Sequence, residues 1–465
     1  MFAKLWRVGL MAPLMVACAA APPRAPDLAT PAAFEAPRRG DSLPAAGLDQ
    51  WWRLYRDPQL DALVAEALQG GFDARLARAR LDEARALRAA ANAQIYAPTG
   101  QAEASASHAK GDEDRYAASF SPAWELDLFG RRAASRQVAT AELHSAEFTA
   151  EATRWVLVAQ VADTLFAARG LAVQLAEAQE TLRIQTALDA SAKAKVDHGL
   201  APASDAAQTQ AAVGAIRAQI EDLSAQLDAT RRALLALIGR GRAPLADLTI
   251  AAQVGAPPPP PPPATAPSDL LSRRPDVREA QWRLAAAAGR LQLAQLAFLP
   301  TFTLSPSYGV TKLSGSDATG IWSLGASAKV PVLDIPRLRQ ALRAQRAVSE
   351  QQVLAYERAV QTAYVEAETA LASLDSDARR VALLRAAERD GAVGYEAKRE
   401  GYQRGFNDLQ NALAAESAWR QARIALAGAQ VSALQRSVQV FKALGGGWSP
   451  PPDESPSPPV RRNAG

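Results

Sequence analysis

The chain has 465 residues, a length that admits two to four domains. Its formal net charge is only +4, and no Lys/Arg stripe is interleaved with aromatics, which excludes a dedicated nucleic-acid binder. Its one cysteine, Cys18, excludes an internal disulfide, and the sequence is read as having no run of about 18 apolar residues beyond the N-terminus, hence no transmembrane helix.

The N-terminus, "MFAKLWRVGLMAPLMVACAA", carries Lys4 and Arg7, then a short apolar stretch, then small residues, as a secretory signal does. Residues 1–17 are read as the signal peptide and 18–47 as a lipid-anchored linker. "LMVAC" resembles the bacterial lipobox, with Met15 where Leu is usual, and makes Cys18 the acylated residue. Each buried acyl CH₂ contributes about 0.8 kcal/mol, so several chains hold an N-terminus on a membrane. Ala19 rather than Asp follows Cys18, which by analogy with other bacterial lipoproteins favours the outer membrane.

A helical segment, "FDARLARARLDEARALRAAANAQIYA", then meets Pro98 and passes into an extended stretch. Proline cannot continue a helix interior, because it lacks the N–H and clashes with the preceding turn. Strands are expected at 99–110 and 115–127, the second with Tyr116, Ala118, Phe120, Pro122 and Trp124 on one face. A very long helix is expected over about 131–196, then a turn, "VDHGLAPAS", and a returning helix.

The same order recurs after a linker, 241–268, whose seven consecutive prolines favour extended polyproline II. A helix ends at Pro300. Strands follow at 301–311 and 321–333, with Phe302, Leu304, Pro306, Tyr308 and Val310 alternating with Thr, Ser and Gly. A second long helix covers about 336–400, and the turn "GYQRGFND" leads into a return. Asp127 and Asp334 lie 207 residues apart, and Gly199 and Gly405 lie 206 apart. This constant offset marks an internal duplication, with units at 48–240 and 269–446. The tail, 447–465, has no core-forming residues and reads as disordered.

At about 1.5 Å per residue each long helix is a rod near 100 Å. Apolar residues spaced alternately by three and four form coiled-coil seams. They run through Val353, Tyr356, Val360, Ala363, Ala367, Ala370 and Leu374, through Ile216 to Leu237, and through Ile424 to Phe441. An ordinary bundle core has the same spacing, and the abundant Ala only suggests a wall around a space. A strand with one apolar and one hydroxyl face suits lipid outside and water inside. Four strands cannot close a barrel, so the chain must oligomerise, and three copies give about twelve strands. A soluble sheet capping a helical bundle remains open on these patterns alone.

"LLSRRPDVREAQWRLAAAAGRLQLAQLAFLPTFTLSPSYG" resembles the signature of the TolC-like outer membrane factors, in particular their lipoprotein branch, often called NodT-like. "WWRLYRDPQLDALVAEAL" and "SPAWELDLFGRRAASR" resemble the same family, and the likeness covers roughly 48–446. It implies a mixed α/β membrane protein, a homotrimer whose outer-membrane β-barrel continues as a long periplasmic α-helical barrel. A belt of extra helices would include "DPQLDALVAEALQ", Gly170 and the C-terminal region. It further implies a passive efflux duct working with a periplasmic adaptor and an inner-membrane pump, with no cofactor and no enzymatic activity.

The resemblance places the periplasmic tip turns, and a gate, at Gly199, Asp205, Tyr402, Gly405, Asp408 and Asn411. Asn411 stands where an Asp is expected, and Ala414 is also uncharged, which weakens an aspartate ring selecting cations. Turn geometry for the glycines and helix capping for Asp205 and Asp408 are the plainer readings. Arg273, Arg274, Pro275 and Asp276 read as a structural helix start, with Pro300 as a helix stop. His108, His144 and His198 lack ligand-like spacing, and no phosphate loop, zinc motif or nucleophile motif is found. A non-channel periplasmic lipoprotein scaffold of helical hairpins is the competing reading.

Overall fold

The computed structural model describes residues 24–36, 48–96, 98–108, 110, 114–200, 202–252, 258–404, 406 and 408–446. The signal peptide, Cys18, Gly405 and the tail 447–465 lie outside the described residues. Helices α1 (Pro58–Gly70) and α2 (Phe72–Tyr96) precede strands β1 (Thr99–Ser107) and β2 (Arg115–Leu126), then α3 (Arg131–Asp197) and α4 (Ala203–Leu237). Helices α5 (Leu270–Arg273) and α6 (Pro275–Leu296) precede β3 (Thr301–Leu313) and β4 (Thr319–Lys329), then α7 (Ile335–Gln403) and α8 (Leu409–Ala443). The order helix, strand, strand, long helix, returning helix thus occurs twice, with long helices of 67 and 69 residues and returns of 35 each.

Strand ends differ from the sequence expectation. β1 stops at Ser107 instead of 110, where His108 Nδ1 bonds the Asp114 carboxylate across the turn. β2 ends at Leu126, one residue early, because Asp127 turns to cap α3. β3 runs on to Leu313, paired with Arg115. β4 occupies Thr319–Lys329 rather than 321–333, because its ladder starts at the Thr311–Thr319 pair and Pro331, just beyond its end, has no N–H to donate.

Two compact units are present. The first combines Arg88–Ala141, Arg283–Glu357 and the described part of Met1–Leu28. It holds the four-stranded antiparallel sheet, in the order β1-β2-β3-β4. Below the sheet Gly289 of α6 faces Val138 of α3 so closely that a Cβ would sit 2.7 Å from a Val138 methyl. In the same unit the Arg24 guanidinium and the Asp27 N–H both donate to Glu357 of α7.

The second unit combines Ala29–Leu87, Glu142–Trp282 and Arg358–Gly465. Its core joins Trp51, Trp52 and Tyr55, Leu60 and Val64 of α1, Leu157 to Phe166 of α3, Leu234 and Leu235 of α4, and Val438 and Phe441 of α8. Trp51 stacks on Phe441 with ring centroids 5.4 Å apart. α1 starts here because Asp57 accepts from the N–H groups of Gln59 and Leu60 and Pro58 supplies the fixed first φ. It stops at Gly71, where a Cβ would lie 2.9 Å from the Leu237 carbonyl oxygen.

The seam residues Val353, Tyr356, Val360, Ala363, Ala367 and Ala370 are all buried, and Leu374 is half-buried. One statement from the sequence needs correction. α3 contains an 18-residue window of mean hydropathy 1.5, long and apolar enough to cross a membrane by length and composition. That window is 61% buried inside the protein, as the window of a core helix is, and α3 supplies Leu157, Val158, Val161, Ala162, Leu165 and Phe166 to the core of the second unit.

Candidate functional site

The register of the sheet sorts every side chain onto one of two faces. Tyr308 pairs with both Phe120 and Trp322, Leu304 with Trp124 and Ala326, and Phe302 with Leu126 and Ala328. Ala102, Ala104 and Ala106 pair with Phe120, Ala118 and Tyr116. Directly paired residues share a face. One face is therefore almost wholly apolar across all four strands, with Lys312 at its far edge. The other carries Gln101, Glu103, Ser105, Ser119, Ser121, Glu125, Thr303, Ser305, Ser307, Thr311, Ser323 and Ser327. Large apolar side chains on the first face stand in the open: Trp322 is 76% exposed and Leu324 64%. A soluble sheet does not leave such a patch uncovered.

Each strand pair leads into a long helix through an acidic cap or turn. The Asp127 carboxylate accepts from the N–H groups of Arg131 (2.7 Å) and Arg132 (3.0 Å). Arg131 reaches back to the carbonyls of Leu296 and Leu299, tying the end of α6 to the start of α3. Pro300 separates this turn from β3, at the point where the helix must stop.

The hairpin turns have different constructions. Gly199 sits at φ +68°, where a side chain is disfavoured, and its N–H donates to Val196 O while Leu200 N–H donates to Lys195 O at 2.8 Å. Asp205 lies in the first turn of α4, exposed, two residues inside the helix rather than at its cap. Tyr402 is exposed near the end of α7. Asp408 is the N-cap of α8 and accepts from the Asn411 N–H at 2.8 Å, so Asn411 contributes its backbone here while its side chain is exposed. Behind the turns Lys193 and Thr209 both hydrogen-bond Asp189, joining α3 to α4. Tyr395 stacks on Trp419, whose indole N–H donates to Glu388, joining α7 to α8.

An ionic cluster that the sequence reading did not find connects α3 to α8. Glu177, Glu180 and Arg183 face Glu416, Arg420 and Arg423, with Arg420–Glu177 at 3.1 Å, Arg423–Glu177 at 2.8 Å and Arg183–Glu416 at 2.8 Å. Glu177 and Glu416 are buried, and the six charges balance. Burial opposes the Arg420 charge, but the Glu416 and Glu177 carboxylates outweigh it and hold its pKa above the ordinary arginine value. The intrahelical spacing of three and four was visible in the sequence, but not which helix would face which.

The signature residues occupy a buried junction. Arg273 ends α5, Pro275 opens α6, and Asp276 lies in its first turn. Arg274, 2% exposed, donates to Asp276, to Glu366 of α7 and to the Ala443 carbonyl at the end of α8, and its guanidinium lies over Trp155.

Two further carboxylates of the second unit went unnoticed in the sequence. Burial raises Asp57, but hydrogen bonds from Arg169, Leu60 and Gln59 overcome this and hold its pKa below the ordinary range. Burial pushes Asp163 of α3 up to about 6, although Gln439 donates to it and Lys442 and Arg436 lie near. The three histidines serve local contacts, His108 with Asp114, His144 with Glu147 and His198 with Ala194 O. Among the described residues no group of three His, Cys, Asp or Glu could hold a metal ion.

A two-faced sheet that feeds paired helical hairpins defines a channel protein of the outer-membrane type. The model of the family described as outer membrane efflux protein matches residues 63–240 and 266–446, and the chain belongs to that family. The pyoverdine export outer membrane protein OpmQ of Pseudomonas putida is 28% identical over 458 residues, 93% of this chain and 95% of that protein. The probable outer membrane lipoprotein SilC of Salmonella typhimurium is 26% identical, covering 86% and 88%. The solved outer-membrane channel OprN superposes with a TM-score of 0.77 at 27% identity, over 92% of this chain and 99% of that one.

Proposed function

We propose that the chain is the outer-membrane channel of a tripartite efflux system, held by an acylated Cys18 and active as a homotrimer. The observation that carries this reading is the sheet: one apolar face, one hydroxyl face, and unpaired edges at β1 and β4. Open edges are not tolerated in lipid, so copies of the chain pair β1 with β4 of the next, and three give a twelve-stranded barrel. The duplicated units, 48–240 and 269–446, each supply one hairpin of strands and one of helices. The helical wall is made of α3, α4, α7 and α8, and a periplasmic adaptor and an inner-membrane pump dock onto it. Small molecules or ions leave by diffusion through the lumen, with energy supplied by the pump.

The gate is at the hairpin turns, around Gly199, Asp205, Tyr402, Gly405, Asp408 and Asn411. Opening requires the hairpins to splay. Asp408 is engaged as a helix cap and Asn411 is neutral, so a cation-selecting ring at this level is weaker than a full set of aspartates provides.

Planar-bilayer recording of the purified protein tests the reading. A small steady conductance is expected, rising when Asp205 or Asp408 is replaced by Arg. Conductance indifferent to these changes removes the gate, and a protein that forms no channel and washes from membranes in alkaline carbonate removes the channel. The scaffold reading predicts that wash-out once Cys18 is replaced.

A further inference from the structure

We infer that a cavity of the second unit, between residues 55–59 and helices α3 and α8, is a binding site for a small organic acid: an apolar body that carries one carboxylate. Its lining lies wholly within that unit, so the site is independent of the sheet. The cavity holds about 420 Å³, inside the about 300–1,000 Å³ range of small-molecule pockets. Its floor is apolar, made by Phe166 and Val173 of α3 and by Ala427, Val431 and Leu434 of α8. The Tyr55 ring lies tilted against Phe166 with centroids 5.2 Å apart, while its hydroxyl is bonded to Ser437.

The polar side of the cavity has two arginines against one acid. The acid, Asp57, is fully engaged. It accepts from the N–H groups of Gln59 and Leu60 and from both terminal nitrogens of Arg169. Arg169 also donates to the Gln59 side-chain oxygen, and the Gln59 amide donates to the Thr249 carbonyl. Arg56 and Gln430 remain. Among the described residues neither of these side chains has a hydrogen-bond, ionic or ring partner. The lining therefore offers one uncompensated guanidinium and one unused amide beside an apolar floor. A carboxylate on an apolar body satisfies all three, because a guanidinium takes a carboxylate in a planar, two-point geometry.

The backbone points the same way. Arg56 has φ +52° and is the one non-glycine residue at positive φ among the described residues. Its N–H closes a turn onto the Arg53 carbonyl, just before Asp57 caps α1. That turn accounts for the φ but not for an arginine, since glycine meets this backbone without strain. What arginine adds is its side chain, and strained residues of this kind gather where ligands are held.

The full chain in neutral detergent is dialysed to equilibrium against phenylbutyrate, phenylbutanol or acetate, with detergent alone as the blank. Bound phenylbutyrate is expected to exceed bound phenylbutanol about fivefold, the size of one solvent-accessible ion pair, with acetate not retained. R56Q should bind acid and alcohol alike, and R56K should keep part of the preference. A427F, which fills the floor, should lose both ligands. R56G separates binding from folding: glycine relieves the positive φ, so its unfolding midpoint should rise while the preference for the acid disappears. Equal binding of acid and alcohol by the wild type, acetate retained as strongly as phenylbutyrate, or a full preference in R56Q or R56G overturns the site. So does an R56G midpoint that falls, which assigns Arg56 to folding instead.

Discussion

Arg420 of α8 reaches Glu177 of α3 at 3.1 Å, inside a cluster where Arg423 and Arg183 engage the same two buried carboxylates, Glu177 and Glu416. Removing one charge from a buried pair costs about 3–5 kcal/mol when nothing else compensates. Here Arg423 and Arg183 remain, so Arg420→Gln is expected to cost less, roughly 2 kcal/mol. Thermal unfolding in detergent would show it, and the loss should deepen in Arg420→Gln/Arg423→Gln. A cost that stays flat in the double variant would mean the cluster is ornamental.

Arg274→Ala should be among the most disruptive single changes. It leaves Asp276 and Glu366 without their shared cation and the Ala443 carbonyl without a donor in a buried junction. A cost of about 1–3 kcal/mol follows for the buried carbonyl left unpaired, because the Asp276 and Glu366 side chains are 35% and 49% exposed and regain water, and it should reduce the folded protein recovered from membranes. Arg274→Lys keeps the charge but not the fork of donors and should recover only part of the yield.

Gly170→Ala tests the approach of α3 to α8. The new Cβ would lie 2.9 Å from one Val431 methyl and 3.3 Å from the other, and a β-branched side chain has little freedom to turn away. Overpacking of this kind costs about 1–3 kcal/mol. Val431→Ala should relieve most of it in the double variant, giving a clear non-additive cycle in unfolding midpoints.

Asp163 gives stability a pH dependence with a defined sign. Its folded pKa is raised to about 6 from 3.8, so between these values the native state holds a proton that the unfolded chain has lost. Its contribution therefore improves as pH falls from 7 towards 4. Asp163→Asn should raise the unfolding midpoint at pH 7 and flatten that slope. Asp57 acts oppositely: its depressed pKa supports the fold above about pH 4 and that support fades as the pH drops further.

Phe120 and Ser119 are adjacent but face opposite ways. Phe120→Arg puts a charge on the apolar face near mid-strand, at about 2–4 kcal/mol if that face meets lipid. Ser119→Arg faces the lumen and should leave assembly intact while altering ion conductance. Membrane-fraction yield of the two variants checks the period of two directly. Equal yields would argue against lipid on either face.

Local pattern carried much of the architecture. The period-two alternation about Phe302–Val310 named the strand and its apolar face, and Pro98 and Pro300 marked where helices stop, because these signals act between near neighbours. The tip residues were harder. Gly199 was legible as a turn, but the capping bond of Asp408 to the Asn411 N–H depends on a backbone direction that the sequence leaves open.

By itself the sequence determined the element order, the two faces of each strand and the inward seams of the long helices, since each is a periodicity read along one segment. Only the tertiary structure decided that β2 pairs with β3 to join the two halves in one sheet, and that Glu177 meets Arg420 and Arg274 meets Glu366. Those partners lie tens to hundreds of residues apart. Which of many chemically equivalent carboxylates an arginine reaches is fixed by strand register and helix rotation, and these are settled by packing the whole chain at once.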